Sequence, residues 1–220
     1  MRNRTLKPIV FTLALVPLLR LAVLGLLGEL GANPIEMITH QTGLWALTLL
    51  LVTLSITPLR RITGQLWLIQ YRRMLGLFAF FYAVLHMLTY VWLDQFFNVH
   101  AMLKDIVKRP FITMGSAAFL MLVPLALTST QSAIRRLGRR WQQLHRLVYC
   151  SAVAGVIHFL WLVKKDIRQP LIYALVLTAL LGYRILAAVL KRYSSRQVPH
   201  AASQAAEKRA EATSEALPNV

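Results

Sequence analysis

The chain has 220 residues, of which 57% are hydrophobic, and a formal net charge of +17 at pH 7. Soluble domains contain about 45–50% apolar residues, so this composition argues against an ordinary soluble protein. Nucleic-acid binding would require the basic residues to cluster on one folded face, whereas here they are spread among loops between apolar runs. The single cysteine, Cys150, excludes an intramolecular disulfide and a cysteine-based metal site.

Six apolar runs follow one another along the chain, and each is near the roughly 20 residues that a helix needs to cross a bilayer. The first follows a basic start without a small-residue cleavage pattern, so we interpret it as a retained span. We predict an all-α membrane protein, a bundle of six transmembrane helices, because backbone polar groups find no water in hydrocarbon. The runs are residues 9–28, 43–59, 74–93, 111–128, 147–163 and 171–190.

The Lys and Arg residues between the runs alternate strongly between the two sides of the predicted bundle. One side, which includes both termini, carries 17 of them and the other carries 6. Five of the eight acidic residues lie on the poorer side. The positive-inside rule therefore places both termini in the cytoplasm, with the basic loops anchored at membrane lipid.

We predict one membrane domain, residues 1–193, followed by a cytoplasmic tail, residues 194–220. The tail is rich in small and polar residues and is predicted to be disordered, with a short helix around residues 201–215 as the alternative. On the outer side, the sequence "DQFFNVHAMLKDIVKRP" is compatible with a short interfacial helix.

Two histidines lie well inside predicted spans that run in the same direction. His86 is 12 residues past Met74 and His158 is 11 past Leu147, so both lie about 16–18 Å along their helices. Two imidazoles at equal depth on separate helices match the two axial ligands of a haem. A hydrogen bond to a neighbouring helix is the plainer interpretation for either histidine alone. A proton relay in a small transporter or proton-coupled channel without haem also fits, as does a scaffold without a cofactor.

The other candidates lie nearer the membrane surfaces. His145, at the cytoplasmic edge, either binds a second cofactor or is an interfacial side chain. His40, before the second run, either caps a helix, faces water or reaches a cofactor. Arg20, 11 residues into the first run, is a candidate contact for a haem propionate, with outward snorkelling as its alternative.

The chain resembles a known family. The segments "RRMLGLFAFFYAVLHMLTY", "HFLWLVKK", "ITPLRRITG" and "GANPIEMITHQTG" are similar to those of haem-binding membrane subunits of periplasmic methionine-sulfoxide reductase systems. These belong to the ferric-reductase-like transmembrane domains. The resemblance implies a b-type cytochrome of the bacterial inner membrane that passes electrons to a periplasmic molybdenum-containing subunit, which repairs oxidised proteins. It also implies FMN as a second cofactor, with a cytoplasmic flavin reductase or the quinone pool as electron donor.

Carried over onto this sequence, the haem ligands of the family are His86, His158 and His145. Oxidase relatives have a second histidine thirteen or fourteen residues before the one in the third span, but Arg73 stands at the position thirteen before His86. The sequence therefore leaves open whether the chain binds one haem or two. The candidates for binding the FMN phosphate are Arg72, Arg73, Arg139 and Arg140, with lipid anchoring as their alternative. No catalytic residue is expected, because the substrate chemistry belongs to the partner subunit.

Overall fold

The computed structural model describes the backbone of residues 3–163 and 166–215, and the side chains of residues 6–163, 166–190 and 193. Lys164 and Lys165, which we counted on the outer side, and residues 216–220 of the predicted tail lie outside the described residues. The described part is helical. Its α-helices are α1 (Asn3–Leu26), α2 (Pro34–Thr63), α3 (Ile69–Leu88), α4 (Val99–Lys108), α5 (Pro110–Leu127), α6 (Gln131–Leu137), α7 (Arg139–Leu144), α8 (Leu147–Leu162) and α9 (Arg168–Glu215).

The predicted class is confirmed, since six segments of the described chain are helical, long and apolar enough to cross a membrane. The second of them is longer than predicted. It begins at Pro34, because proline suits the first turn of a helix and the Asn33 side chain accepts a hydrogen bond from the backbone N–H of Glu36. His40, which we expected before this helix, therefore lies inside it.

Two helix pairs form the packed centre of the first compact unit, Met1–Leu177. Helix α2 packs against α3, and α5 packs against α8. Small residues allow each pair to approach closely: Ala79 of α3 and Ala152 of α8 are fully buried, as is Ser151, which donates a hydrogen bond to the Ala118 carbonyl. These two pairs carry the predicted histidines, His86 on α3 and His158 on α8.

Helix α1 is attached to α3 through one tyrosine. The hydroxyl of Tyr82 donates to the carbonyl of Ala14 over 2.8 Å and accepts from the N–H of Leu18 over 3.2 Å. In a regular helix the N–H of Leu18 would donate to the carbonyl of Ala14, so the hydroxyl bridges the two ends of one helical hydrogen bond. The site lies beside Pro17, whose missing N–H already interrupts the hydrogen-bond pattern of α1. Tyr82 thus fixes α1 one turn of α3 away from His86.

The connection between α3 and α5 contains a π-helical turn, Thr89–Asp94, and the short helix α4. Phe96 and Phe97 between them both have positive φ, a conformation that bulky residues rarely adopt. The predicted short helix in this loop is confirmed. Asp105 holds it in place, because its carboxylate pairs with Arg109 and accepts hydrogen bonds from Tyr90 and Gln95.

Helix α9 continues into the second compact unit, Thr178–Val220. Its segment Arg168–Leu190 is the sixth helix suited to cross a membrane, and the described helix runs on to Glu215. The domain boundary at residue 193, the disordered tail and the cytoplasmic position of both termini stay predictions.

Candidate functional site

The side chains of His86 and His158 lie against each other in the interior of the first unit. Their ring centroids are 6.0 Å apart, and the ring planes make an angle of 74°. The sequence predicted equal depth for the two histidines, and the structure brings their rings together. The role of the pair as metal ligands stays a prediction at this point.

Each of the two rings is held by a backbone carbonyl of the helix packed behind it. Nδ1 of His86 lies 2.8 Å from the carbonyl oxygen of Thr39 on α2, and Nδ1 of His158 lies 2.6 Å from that of Phe111 on α5. A carbonyl oxygen only accepts, so both Nδ1 atoms carry a proton in these bonds. Within the described part of the chain, Nε2 of neither ring has a hydrogen-bond partner, which leaves that nitrogen available as a ligand.

A glycine faces each ring four residues after the carbonyl that holds it. A Cβ atom added at Gly43 would lie 2.9 Å from Nδ1 and Cε1 of His86, and one at Gly115 would lie 2.8 Å from Nδ1 of His158. Side chains do not tolerate such distances, so only glycine lets the rings approach their carbonyls.

Our sequence reasoning missed both glycines, although a signal was present. In each helix pair the carbonyl residue precedes its histidine by the same 47 positions. The two pairs therefore repeat one local design, which a search for glycine at a fixed distance before each histidine would have found.

The geometry of the pair fits a metal bound between two imidazoles. A metal bound to Nε2 of both rings would have one bond of about 2 Å on each side. If the two bonds were in line, the ring centres would be about 6 Å apart. Within the described residues no group of three or more His, Cys, Asp and Glu is positioned to hold a metal ion. A bare ion would therefore lack protein ligands in its other positions, whereas the iron of a porphyrin brings its own four nitrogens.

His145 is not part of this pair. It ends α7, next to the start of α8, and its ring stacks on that of Trp141 with centroids 3.9 Å apart. Its Nδ1 donates to the Trp141 carbonyl over 3.1 Å, while the Trp141 indole donates to the carbonyl of Thr128. The sequence spacing is the reason: His158 lies about 16 Å along α8 from the start of that helix at Leu147, whereas His145 precedes the start.

The arginines proposed for a phosphate lie at the same end of α8 as His145. Arg72 is partly buried and lies within electrostatic range of His145, whereas Arg73, Arg139 and Arg140 are exposed. Nearby on α2 and α3, three buried polar atoms have no hydrogen-bond partner in the described structure: Thr57 Oγ1, Gln70 Nε2 and Tyr71 OH. Buried polar atoms are normally paired, so this end of the bundle has unused hydrogen-bonding capacity.

The structure does not bring Arg20 together with the histidine pair. Arg20 lies beside Gln41 and Trp45 in a cleft between α1 and α2. Gln41 is two residues after Thr39, a rotation of about 200°, so the cleft lies on the face of α2 opposite His86. His40, by contrast, points toward α8, with its ring centroid 6.1 Å from that of Phe159.

Comparisons with known proteins agree on one family. Residues 42–156 match the model of the ferric reductase like transmembrane component, a segment that includes His86 and His145. A relative from Herminiimonas arsenicoxydans is 54% identical over 190 residues, covering 85% of this chain and 87% of its own, and one from Bordetella pertussis is 50% identical, covering 87% and 94%. Both are named protein-methionine-sulfoxide reductase heme-binding subunit MsrQ. No solved structure matches the chain.

Proposed function

The chain belongs to the MsrQ family of haem-binding subunits of protein-methionine-sulfoxide reductases, with a ferric-reductase-like transmembrane domain, and from this we propose that it is a b-type cytochrome. In this proposal it holds haem b inside the bacterial inner membrane and conducts electrons outward. The receiving partner is a periplasmic, molybdenum-containing subunit that reduces methionine sulfoxide in oxidised proteins.

One observation carries the proposal: the His86 and His158 rings lie 6.0 Å apart, each with Nδ1 bound to a carbonyl. The carbonyls orient the rings and fix the tautomer that leaves Nε2 as the ligand atom. A hydrogen bond from the second ring nitrogen also makes an imidazole a more basic ligand. His86 and His158 would therefore be the residues that hold a haem iron.

The chemistry expected of such a site is electron transfer. A haem held by the two imidazoles would supply a one-electron couple and would leave no position for oxygen or substrate. The chain's own residues hold both ligands, since carbonyls of α2 and α5 each bind one ring and both side chains are part-buried. Burial and ligand orientation are the means by which the protein sets the potential.

We place the entry of electrons at the cytoplasmic side, from a flavin reductase or from quinol, with FMN as an intermediate carrier. Arg72 supports an FMN site there, because it is a partly buried cation close to His145. The unpaired atoms of Thr57, Gln70 and Tyr71 provide donors and acceptors nearby of the kind that a flavin ring uses. Three exposed arginines add a basic surface suited to the FMN phosphate: Arg73, Arg139 and Arg140.

Absorption spectra of the purified protein from haem-sufficient cells test the proposal. We expect a sharp Soret band, an α-band that appears on reduction, and a pyridine-haemochrome value near one haem per chain. A colourless protein that drives substrate-dependent proton flux in vesicles would instead establish the histidine-relay transporter. Loss of haem in one ligand variant but not in the other would show that the pair does not hold one iron.

A further inference from the structure

Helix α4, between α3 and α5, has three different faces, none of which takes part in the proposed electron transfer. The side chains of the first face are partly buried against the rest of the chain: Ala101, Met102, Asp105 and Ile106. Asp105 anchors this face, since its carboxylate pairs with Arg109 and accepts a hydrogen bond from Tyr90 of the π-helical turn. The other two faces are therefore presented outward in a fixed orientation.

The second face of α4 is an exposed apolar stripe. Val99, Leu103 and Val107 are 62%, 59% and 84% exposed. Because they are four residues apart, successive members are offset by about 40° around the helix, so the three form one continuous stripe. Phe96 and Phe97, just before the helix, extend this apolar surface, since both are also exposed. An exposed apolar patch of this kind indicates a surface that meets a membrane or another protein.

The third face of α4 carries positive charge. His100, Lys104 and Lys108 each follow a member of the stripe by one residue, which places them beside it, about 100° further around the helix. All three are exposed, and neither lysine has an ion-pair partner in the described part of the chain. Asp105 is already paired with Arg109, so it does not neutralise the lysines. An apolar stripe with a basic border is typical of helices that lie in the plane of a membrane surface.

The attachment of α4 places it at the level of that surface. The third segment suited to span a membrane ends at Asp94, and the fourth begins at Pro110, so both ends of α4 are joined to span ends. Thr113, three residues into the fourth segment, donates a hydrogen bond to the carbonyl of Ile106. Three residues of helix correspond to about 4.5 Å, so the second half of α4 lies beside the first turn of that span and not above it in the water.

We propose that α4 lies in the surface of the membrane leaflet on the predicted outer side and binds anionic phospholipid there. The stripe contacts the acyl chains, and Lys104 and Lys108 extend to the phosphate groups, as long basic side chains do at membrane surfaces. A soluble protein partner would leave the stripe in water until it docked, whereas a helix beside the first turn of a span is always next to lipid. Lipid also accounts for Trp92, an exposed indole near the end of the third span, because aromatic side chains are enriched at this level.

Quenching of a fluorescent label by lipid tests the proposal on the full-length protein in nanodiscs. A bimane is attached to Leu103→Cys in a Cys150→Ala background, which leaves a single thiol. We expect phospholipids with brominated acyl chains to quench this label strongly. The same label at His100→Cys should be quenched much less, because that residue lies on the basic face. Val107→Cys provides a second label on the stripe if Leu103→Cys folds poorly.

The head-group preference is measured with the same label. Brominated phosphatidylglycerol should reach the stripe in preference to brominated phosphatidylcholine when the two compete. Lys104→Gln combined with Lys108→Gln should remove this preference, with a factor of about five for each lysine. Lys7→Gln is the matched control, since it removes an exposed lysine of α1 on the predicted cytoplasmic side, and the preference should be unchanged.

Weak quenching at both Leu103→Cys and Val107→Cys would overturn the proposal, because the stripe would then face water, as a surface for a protein partner does. Equal affinity of the stripe for the two lipids would refute the anionic site. A preference for phosphatidylglycerol that survives the loss of both lysines would refute it as well. None of these results depends on haem, so the proposed function is tested separately.

Discussion

Nδ1 of His158 lies 2.6 Å from the carbonyl oxygen of Phe111, a residue 47 positions earlier on another helix. This single contact determines what the imidazole can do. Because the carbonyl only accepts, the proton of the neutral ring is on Nδ1. The lone pair on Nε2 is therefore available to bind a metal. His86 repeats the arrangement with Thr39.

Replacing either member of the pair should abolish haem binding. With His86→Ala or His158→Ala the iron loses one axial ligand, and the remaining imidazole cannot hold a six-coordinate centre. We expect the Soret and α-bands of a six-coordinate haem to disappear in both variants. His100→Ala, an exposed histidine of α4, is the control and should keep the full spectrum. A normal spectrum in His158→Ala would contradict the ligand assignment.

His145→Ala separates one haem from two. The structure places His145 on Trp141, away from the pair, and Arg73 occupies the position where oxidase relatives have a partner histidine. We therefore expect an unchanged pyridine-haemochrome value in this variant. A fall to half the haem content would show that His145 binds a second haem.

Alanine at Gly43 or Gly115 should displace a ligand ring without removing it. The added Cβ would lie 2.9 Å from the His86 ring or 2.8 Å from the His158 ring, and overpacking of this kind costs about 1–3 kcal/mol. We expect a shifted reduction midpoint and altered low-spin electron paramagnetic resonance signals, or partial haem loss.

Gly155→Ala on α8 is the control for these variants, because its Cβ would make an ordinary contact of 3.4 Å with Leu47. Its midpoint and spectrum should match those of the unchanged protein. If Gly43→Ala is equally silent, the glycine does not position His86.

Removing the Tyr82 hydroxyl should loosen α1. Tyr82→Phe loses the bonds to Ala14 and Leu18 that attach α1 to α3, and interhelical hydrogen bonds in membranes contribute about 1 kcal/mol. We expect a lower unfolding temperature and faster proteolysis near α1. Tyr71→Phe, measured on flavin-free protein, is the matched control: its buried hydroxyl has no partner in the described structure, so its removal should be neutral or stabilising.

Flavin binding should depend on Arg72 more than on its exposed neighbours. Loss of a partly buried charge-assisted contact should weaken FMN binding about tenfold or more in Arg72→Ala. The flavin-to-haem ratio of the purified protein measures the effect, with Arg61→Ala as the control for charge. An unchanged ratio in Arg72→Ala, with normal haem, would move the FMN phosphate to another site.

Several features of the fold could be predicted from the sequence because they depend on local properties. The span of α8 was predicted to within one residue, since both its ends coincide with a change from apolar to polar residues. The start of α2 was missed because the residues from Pro34 to Thr42 are too polar to read as a span, yet the Asn33 cap and Pro34 begin a helix there.

The sequence by itself determined the membrane class, the six spans and the equal depth of His86 and His158. Hydrophobic length, loop charge and helical rise can each be counted over consecutive residues, without knowledge of what packs against them. Only the tertiary structure decided that the two rings meet, which nitrogen each presents, and that Arg20 faces a cleft on the far side of α2. These depend on the rotation of each helix about its axis and on which helix packs behind it. Both are set by contacts such as those of Gly43 and Gly115, made between residues more than forty positions apart.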